Sequence, residues 1–418
     1  MSEPSGTPPA RVAYVMTHYP KHSQTFLIDE VVAVGSEDLA VVPIALNEPS
    51  PGDIDTEIEQ RESARTLYLK AVPPIRVLRT LLSTVRRNPT GVIGVFVRAL
   101  RAAGADARDA LWSAFYFVEA VLAWDHCERN GCRHLHAQFG TAPASVAMLA
   151  ADIGNRVAGG ERPVTWSYSV HGYTEFTQED AFDIVRKTRS AAFVVGVSDY
   201  TRSQLMRLSS PEEWVKLHRV HVGIDLDHFA YCPRADVHTP PTVLSVGRLS
   251  PEKGQLSLLE AVGCLKSRGV AVRAKVIGDG PSSSQLREHA RALGIEDRVE
   301  FTGALPAAAV AAELADADVF CLASFAEGIP VSVMEALACG VPVVATLVGG
   351  VPELVECGTS GLTVPAGRPD LVADAIETLV GDPELRARVQ REGRRRVETG
   401  HDIRRTSAQM RELLLAHA

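Results

Sequence analysis

At 418 residues the chain exceeds what one ordinary hydrophobic core supports, so two or three domains are expected. Its 46% hydrophobic and 22% charged residues are those of a soluble globular protein, and no run approaches the roughly 18 uncharged apolar residues of a membrane-spanning helix. A net charge of −8 excludes a general nucleic-acid binder, whose phosphate contacts need a basic surface.

Residues 1–10 are polar and lack the charged-then-apolar pattern of a secretory signal. The seven cysteines are scattered and read as reduced thiols, so a cytoplasmic location is expected. Residues 11–16, 39–43, 134–137, 164–169 and 193–197 have the β-branched, apolar character of strands. Loops at 18–24, 139–142 and 171–175 follow three of them. Between Lys70 and Arg101 the charges are Lys70, Arg76, Arg79, Arg86, Arg87, Arg98 and Arg101, with no acid. Val77, Leu78, Leu81, Leu82 and Val85 lie at helical spacing among them. This segment is either a solvated basic face or a peripheral contact with the inner face of the plasma membrane. Asp125, His126, Cys127, Cys132, His134 and His136 have spacings that loosely suit zinc. The strand pattern at 134–137 competes with that reading, and no metal is expected.

Residues 230–241 contain three prolines and few apolar side chains, which predicts a linker between domains at 1–229 and 242–400. Beyond it, strand candidates at 242–246, 273–277, 299–301, 319–322 and 342–345 alternate with helical stretches at 255–267, 283–293, 306–314 and 332–338. That alternation implies a parallel sheet covered by helices, with ligands bound at the carboxyl ends of its strands. Gly247, Gly278, Gly280, Gly303 and Gly328 fall there. Residues 401–418 are expected to form a terminal helix.

The loops at those strand ends suit a nucleoside diphosphate-sugar. Two phosphates need cations and backbone N–H groups, which Arg248, Lys253 and a helix start near Val331 offer. Pro330 suits a first helical position, and the N–H groups and positive dipole there favour a phosphate. Vicinal hydroxyls need carboxylates, offered by Glu327 and Glu335.

These residues carry a resemblance. Glu327 and Glu335 in Glu-x7-Glu spacing, followed by the run 335–344, resemble the donor motif of glycosyltransferase family 4. Residues 246–254 resemble that family's Gly-Arg…Lys-Gly loop. Residues 221–229 resemble its interdomain Gly-[Val/Ile]-Asp…Phe segment, with Val222 in place of the usual Asn. Residues 19–27 and 134–140 are similar to the colanic-acid and exopolysaccharide branch, with Gln24 in place of a Glu. The Gly-Gly loop that many members carry after the first strand is missing.

The resemblance implies the GT-B fold, two Rossmann-like domains, with the terminal helix returning to the N-terminal one. It implies a retaining transfer of a hexose from a nucleoside-diphosphate sugar, UDP-linked first and GDP-linked next. The acceptor would be a glycan, a lipid-linked glycan or a small molecule. Arg248 and Lys253 would hold the diphosphate, Glu327 the sugar and Glu335 the ribose. Gly247, Gly278, Gly280, Leu305, Gly328, Ile329, Pro330 and Val331 would shape the nucleotide pocket. His171, beside Gly172, would lie near the reacting centre, with His136 on the acceptor side. Ser23, Gln24 and Thr25 either cap a helix or form part of the diphosphate or acceptor pocket. No resident cofactor is implied, since the donor is a substrate. A sugar-nucleotide epimerase or another enzyme on the same fold is the alternative.

Overall fold

Short β-branched runs and intervening helices build two separate parallel sheets. The computed structural model describes residues 9–418 apart from 22–23, 51, 103–105 and 159–161. The chain divides into two compact units: Met1–Val197, Arg202–Val220 and Ser407–Ala418 form one, and Ser198–Thr201 with His221–Thr406 the other.

The first unit holds strands β1 (Ala10–His18), β2 (Leu39–Asn47), β3 (Leu67–Tyr68), β4 (His134–Gln138), β5 (Thr165–Val170), β6 (Phe193–Gly196) and β7 (Leu217–Arg219). Its helices are α1 (Thr25–Val34), α2 (Glu57–Arg65), α3 (Pro74–Arg87), α4 (Pro89–Ala102), α5 (Ala107–Asn130), α6 (Ala142–Val157), α7 (Thr174–Thr177) and α8 (Ile184–Ser190), and α9 (Asp199–Leu208) begins in the second unit. The sheet order is β3-β2-β1-β4-β5-β6-β7, and every pairing is parallel. One apolar cluster packs Leu135, Ala137, Trp166 and Tyr168 against α5 and α6. The other holds Val12, Tyr14, Phe193 and Val195.

β4 is buried along its whole length although every second residue is polar. The parallel register sets His134 beside Thr165, His136 beside Ser167 and Gln138 beside Ser169. His134 shares its ring nitrogens with Thr165 and Ser167 hydroxyls at 2.8 and 2.7 Å, and His136 with Ser167 and Ser169 at 2.8 and 3.0 Å. Both imidazoles are thus satisfied inside the sheet. Burial pushes both rings down, His136 to about 3. His136 is a structural residue and not an acceptor-side contact, because both of its nitrogens are used by its own sheet.

The second unit holds β8 (Thr242–Val246), β9 (Arg273–Ile277), β10 (Val299–Gly303), β11 (Val319–Leu322), β12 (Val343–Thr346) and β13 (Leu362–Val364), ordered β10-β9-β8-β11-β12-β13 and again parallel. Its helices are α10 (Gln255–Ser267), α11 (Ser283–Ala292), α12 (Ala307–Asp316), α13 (Val331–Cys339), α14 (Val351–Leu354), α15 (Pro369–Gly381), α16 (Pro383–Gly400) and the start of α17 (Ile403–Leu415). Strand order reverses between β8 and β11, where a doubly wound sheet opens a crevice for ligands.

Residues 221–241 differ from expectation. They do not close the first domain and link it to the second; they belong to the second unit. The Ile224 N–H donates to His401 O at 2.9 Å and the Ile403 N–H to Ile224 O at 3.1 Å. The Cys232 N–H reaches Cys339 O at 3.0 Å, while Arg386 and Gln390 donate to Ala235 O and Arg234 O. Several of its backbone groups are thus paired with α13 and α16, and the His238 N–H donates to Asp318 at 3.1 Å. The terminal helix does return: Met410 and Leu414 of α17 sit in the cluster with Val12, Tyr14 and Phe193.

Candidate active site

The loop after β8 and the loop after β11 meet at the switch point of the second sheet. Lys253 ends a short turn, Pro251–Lys253, and its ammonium donates to Glu327 Oε1 and Oε2 at 2.7 and 2.9 Å. Ser324 Oγ donates to Glu327 Oε1 at 2.7 Å. The Phe325 N–H bonds Glu252 O at 2.8 Å, and a Cβ on Gly254 would lie 2.0 Å from Ala323 O. The two loops are therefore fastened backbone to backbone, with the ion pair across their junction. Glu327 is buried, so its charge needs the ammonium and hydroxyl it receives. One N–H of the Lys253 ammonium remains for another partner.

Arg248 stands on the same β8 loop and is exposed. Its carbonyl accepts from Gln255 at 2.9 Å, while its guanidinium makes no hydrogen bond or ion pair among the described residues. α13 begins at Val331 with Pro330 as N-cap, one position later than the sequence reading gave Pro330. The N–H groups of Gly328, Ile329, Val331 and Ser332 meet no acceptor among the described residues. Free donors, the helix dipole and a free guanidinium are features that favour an anion. Glu335 lies about one turn further along α13, partly exposed.

Gly278 and Gly280 stand at close backbone approaches. A Cβ on Gly278 would lie 1.9 Å from Gly247 O, and one on Gly280 2.3 Å from Leu249 O. They let the β9 loop lie directly on the β8 loop. Leu305 follows β10, the edge strand, and is partly buried.

In the first unit His171 and Gly172 follow β5. The Glu175 carboxylate receives the N–H groups of His171 at 2.9 Å and Gly172 at 3.0 Å on one oxygen, and that of Gly140 on the other. The buried Lys187 ammonium donates to Gly140 O and Thr141 O at 2.7 and 3.0 Å, and burial lowers its pKa to about 7. The two strand-end loops after β4 and β5 are thereby tied together. His171 Nε2 lies 2.5 Å from Gln138 Oε1, and burial lowers the imidazole to about 3. Gln24 is the N-cap of α1 without a side-chain cap bond, and Thr25 is its first residue, so neither caps the helix. Ser23 lies outside the described residues.

The zinc reading has no support in the geometry. No group of three or more His, Cys, Asp or Glu among the described residues is placed to hold a metal. Asp125 is paired with Arg129 at 3.0 Å, and His134 and His136 are committed to hydroxyls.

Residues 234–396 match the family described as glycosyl transferases group 1. Over 408 residues the chain is 29% identical to the putative colanic acid biosynthesis glycosyltransferase WcaL of Escherichia coli (strain K12), covering 94% of this chain and 96% of that one. The chain is a glycosyltransferase whose residues 234–396 are of the group 1 type. The transferase is also 34% identical over 239 residues to the GDP-mannose-dependent alpha-(1-6)-phosphatidylinositol monomannoside mannosyltransferase of Mycolicibacterium smegmatis, covering 54% of this chain and 62% of that protein. Its fold matches the crystal structure of Anabaena Alr3699/HepE in complex with UDP and glucose, with a TM-score of 0.72 and 19% identity over 97% of this chain and 100% of that one. The two Rossmann-like units are those of the GT-B fold.

The geometry of the transferase adds residues that the motif reading passed over. A Cβ on Gly349 would lie 1.8 Å from Glu327 O and one on Gly350 2.1 Å from Gly328 O, so the turn after β12 presses directly on the β11 loop. Ser198 Oγ donates to Gly328 O at 3.1 Å from another side. The adjacent glycines were the visible signal, since such pairs mark close backbone approach. Glu30, Gln138 and Lys187 were passed over because their partners lie far along the chain, as does the Gly140 N–H that Glu175 receives.

Proposed function

We propose that this transferase moves a hexose from a nucleoside-diphosphate sugar to an acceptor hydroxyl with retention at the anomeric carbon. The observation that carries this reading is the junction of Lys253, Glu327 and the bare N–H groups at the start of α13, beside the unpaired Arg248. In the proposed reaction Arg248, Lys253 and the α13 N–H groups hold the diphosphate and stabilise its charge as it leaves. The bond from the anomeric carbon to the β-phosphate oxygen breaks. The acceptor oxygen bonds that carbon from the same face, and its proton passes to the departing phosphate. Three fixed sources of positive potential do here what a divalent cation does elsewhere. Glu327 faces the sugar hydroxyls, Glu335 the ribose, and His171 the reacting centre. The donor is UDP-linked by first preference and GDP-linked by second.

The test is nucleotide release from a panel of UDP-, GDP-, ADP- and dTDP-sugars, with thermal shift by the matching nucleoside diphosphate. Release and stabilisation by one base are expected. No shift with any nucleotide overturns the donor site, and interconversion of sugars without nucleotide release favours an epimerase.

A lipid-linked acceptor is favoured by the surface of α3. Val77, Leu81 and Val85 pack against the first unit's core, while Ile75, Leu78 and Leu82 point outward with exposures of 61%, 52% and 46%. α5 adds exposed Leu111, Trp112 and Phe115. No helix among the described residues is long and apolar enough to cross a membrane. An exposed apolar row among arginines fits an anionic bilayer surface. Binding to phosphatidylglycerol vesicles that weakens with salt and with Leu78→Ser/Leu82→Ser is expected; no binding at low salt points to a water-soluble acceptor.

A further inference from the structure

His171 has two ring nitrogens in very different surroundings. Nε2 lies against Gln138 Oε1 at 2.5 Å, whereas Nδ1 is buried and has no hydrogen-bond partner among the described residues. Which nitrogen carries the proton follows from the groups behind Gln138. The Gln138 amide N–H donates to Glu30 Oε1 at 2.7 Å, and the Tyr14 hydroxyl donates to the same oxygen at 3.2 Å. An oxygen taking two donors is an acceptor, so it fixes which end of the Gln138 amide faces it. The nitrogen faces Glu30 and the carbonyl oxygen faces His171. A carbonyl can only accept, so the imidazole donates from Nε2. A neutral imidazole has one proton, and Nδ1 is left with a bare lone pair. Phe26 and Phe139 stand against the ring at 5.3 and 4.6 Å between centroids, and Glu175 holds the backbone N–H groups of His171 and Gly172.

We infer that Glu30, acting through Gln138, is a positioning residue that sets the tautomer of His171, so that Nδ1 stands as an acceptor for a substrate hydroxyl. The inference rests on the proposed placement of His171 in the substrate site. Glu30 sits on α1, Gln138 on β4 and His171 after β5, so three segments of the first unit act on one proton. A flipped amide would present its N–H to Nε2, demand the other tautomer and leave Nδ1 with an N–H toward the hydroxyl. The buried lone pair thus gives this site a built-in preference for a donor group in its ligand.

Two-bond 15N correlation spectra of the full-length, 15N-histidine-labelled protein read the tautomer without substrate, with His171 assigned by loss of its signals in His171→Gln. Protonated Nε2 and unprotonated Nδ1 are expected. In Gln138→Met and in Glu30→Leu the proton is expected to redistribute, with turnover falling roughly tenfold to hundredfold. Glu30→Gln keeps an acceptor oxygen and restores both tautomer and rate. Comparing transfer with donor hydrolysis locates the hydroxyl: equal losses place it on the donor sugar, and loss of transfer alone places it on the acceptor. A proton on Nδ1 in the wild-type protein overturns the inference, as does an unchanged tautomer in Gln138→Met. Unchanged turnover in His171→Gln instead removes His171 from the substrate site, an outcome the spectra keep separate.

Discussion

Lys253 and Arg248 stand on one loop but differ in what holds them. Lys253 is bound to a buried carboxylate, and Arg248 is solvated. Lys253→Ala is expected to lower kcat by about 10²–10³, the effect of removing one charge-stabilising donor. It also leaves Glu327 with only the Ser324 hydroxyl, which costs about 1–3 kcal/mol in a urea titration. Arg248→Ala is expected to reduce kcat/KM while the urea midpoint holds; equal destabilisation by both substitutions contradicts this division. Glu30 gives a pH signature at the same scale. Burial raises its carboxyl to about 7, against the bonds from Tyr14 and Gln138. Its folded pKa lies above the unfolded value, so its contribution is full below about 4.5 and is lost as pH rises through 7. The gain of Glu30→Gln over wild type in a denaturation series from pH 4.5 to 8 should therefore grow with pH and level off above 7. The ceiling is about 3 kcal/mol.

At the scale of elements, the β11 loop is braced by the turn after β12. Gly349 has φ +51 and leaves no room for a side chain against Glu327 O. Gly349→Ala is expected to displace that loop, costing about 1–3 kcal/mol and most of the turnover. Full activity in this variant contradicts the bracing role. The comparable brace in the first unit is Glu175, whose two oxygens take three N–H groups. Glu175→Gln loses one acceptor oxygen and should destabilise the fold by about 1–3 kcal/mol, read by urea unfolding. Much of this architecture was legible in the sequence where it is periodic. The strands at 242–246, 273–277 and 319–322 matched because buried parallel strands are short apolar runs, the first two closed by Gly247 and Gly278. The loops that carry Arg248, Lys253 and Glu327 were legible because turn chemistry is local. The two-residue β3 and the three-residue β13 have too few residues for a pattern. His136 was misread because alternation does not reveal that two serines on the neighbouring strand satisfy the ring. The braces at Glu175, Gln138 and Gly349 depend on register between distant segments.

For the whole molecule, the chain does not pass from one unit to the other at a single place. Residues 198–201 belong to the second unit inside the first unit's sequence, and residues 407–418 close the chain in the first unit. Residues 230–241 looked like a linker because proline-rich, weakly apolar stretches usually are, but their partners are carbonyls and side chains of α13 and α16. Deleting residues 407–418 is expected to strip Met410 and Leu414 from the core around Tyr14 and Phe193. Full burial of such side chains contributes about 1.5–3 kcal/mol each. A clear fall in melting temperature should follow, with nucleotide still stabilising the second unit; an unchanged melting curve contradicts the role of α17.

The hydroxyl and imidazole ladder between β4 and β5 also acts as a combination lock on assembly. Each tumbler is a pair of neighbours: His134 with Thr165, His136 with Ser167, Gln138 with Ser169. A slip of one residue would turn both rings toward Trp166 and Tyr168 and bring Leu135 and Ala137 round to the hydroxyls, stranding polar atoms on both faces of the sheet. A purely aliphatic pair of strands would tolerate the slip far better. Only the correct alignment opens the lock, and that same alignment carries Gln138 to the end of its strand opposite His171.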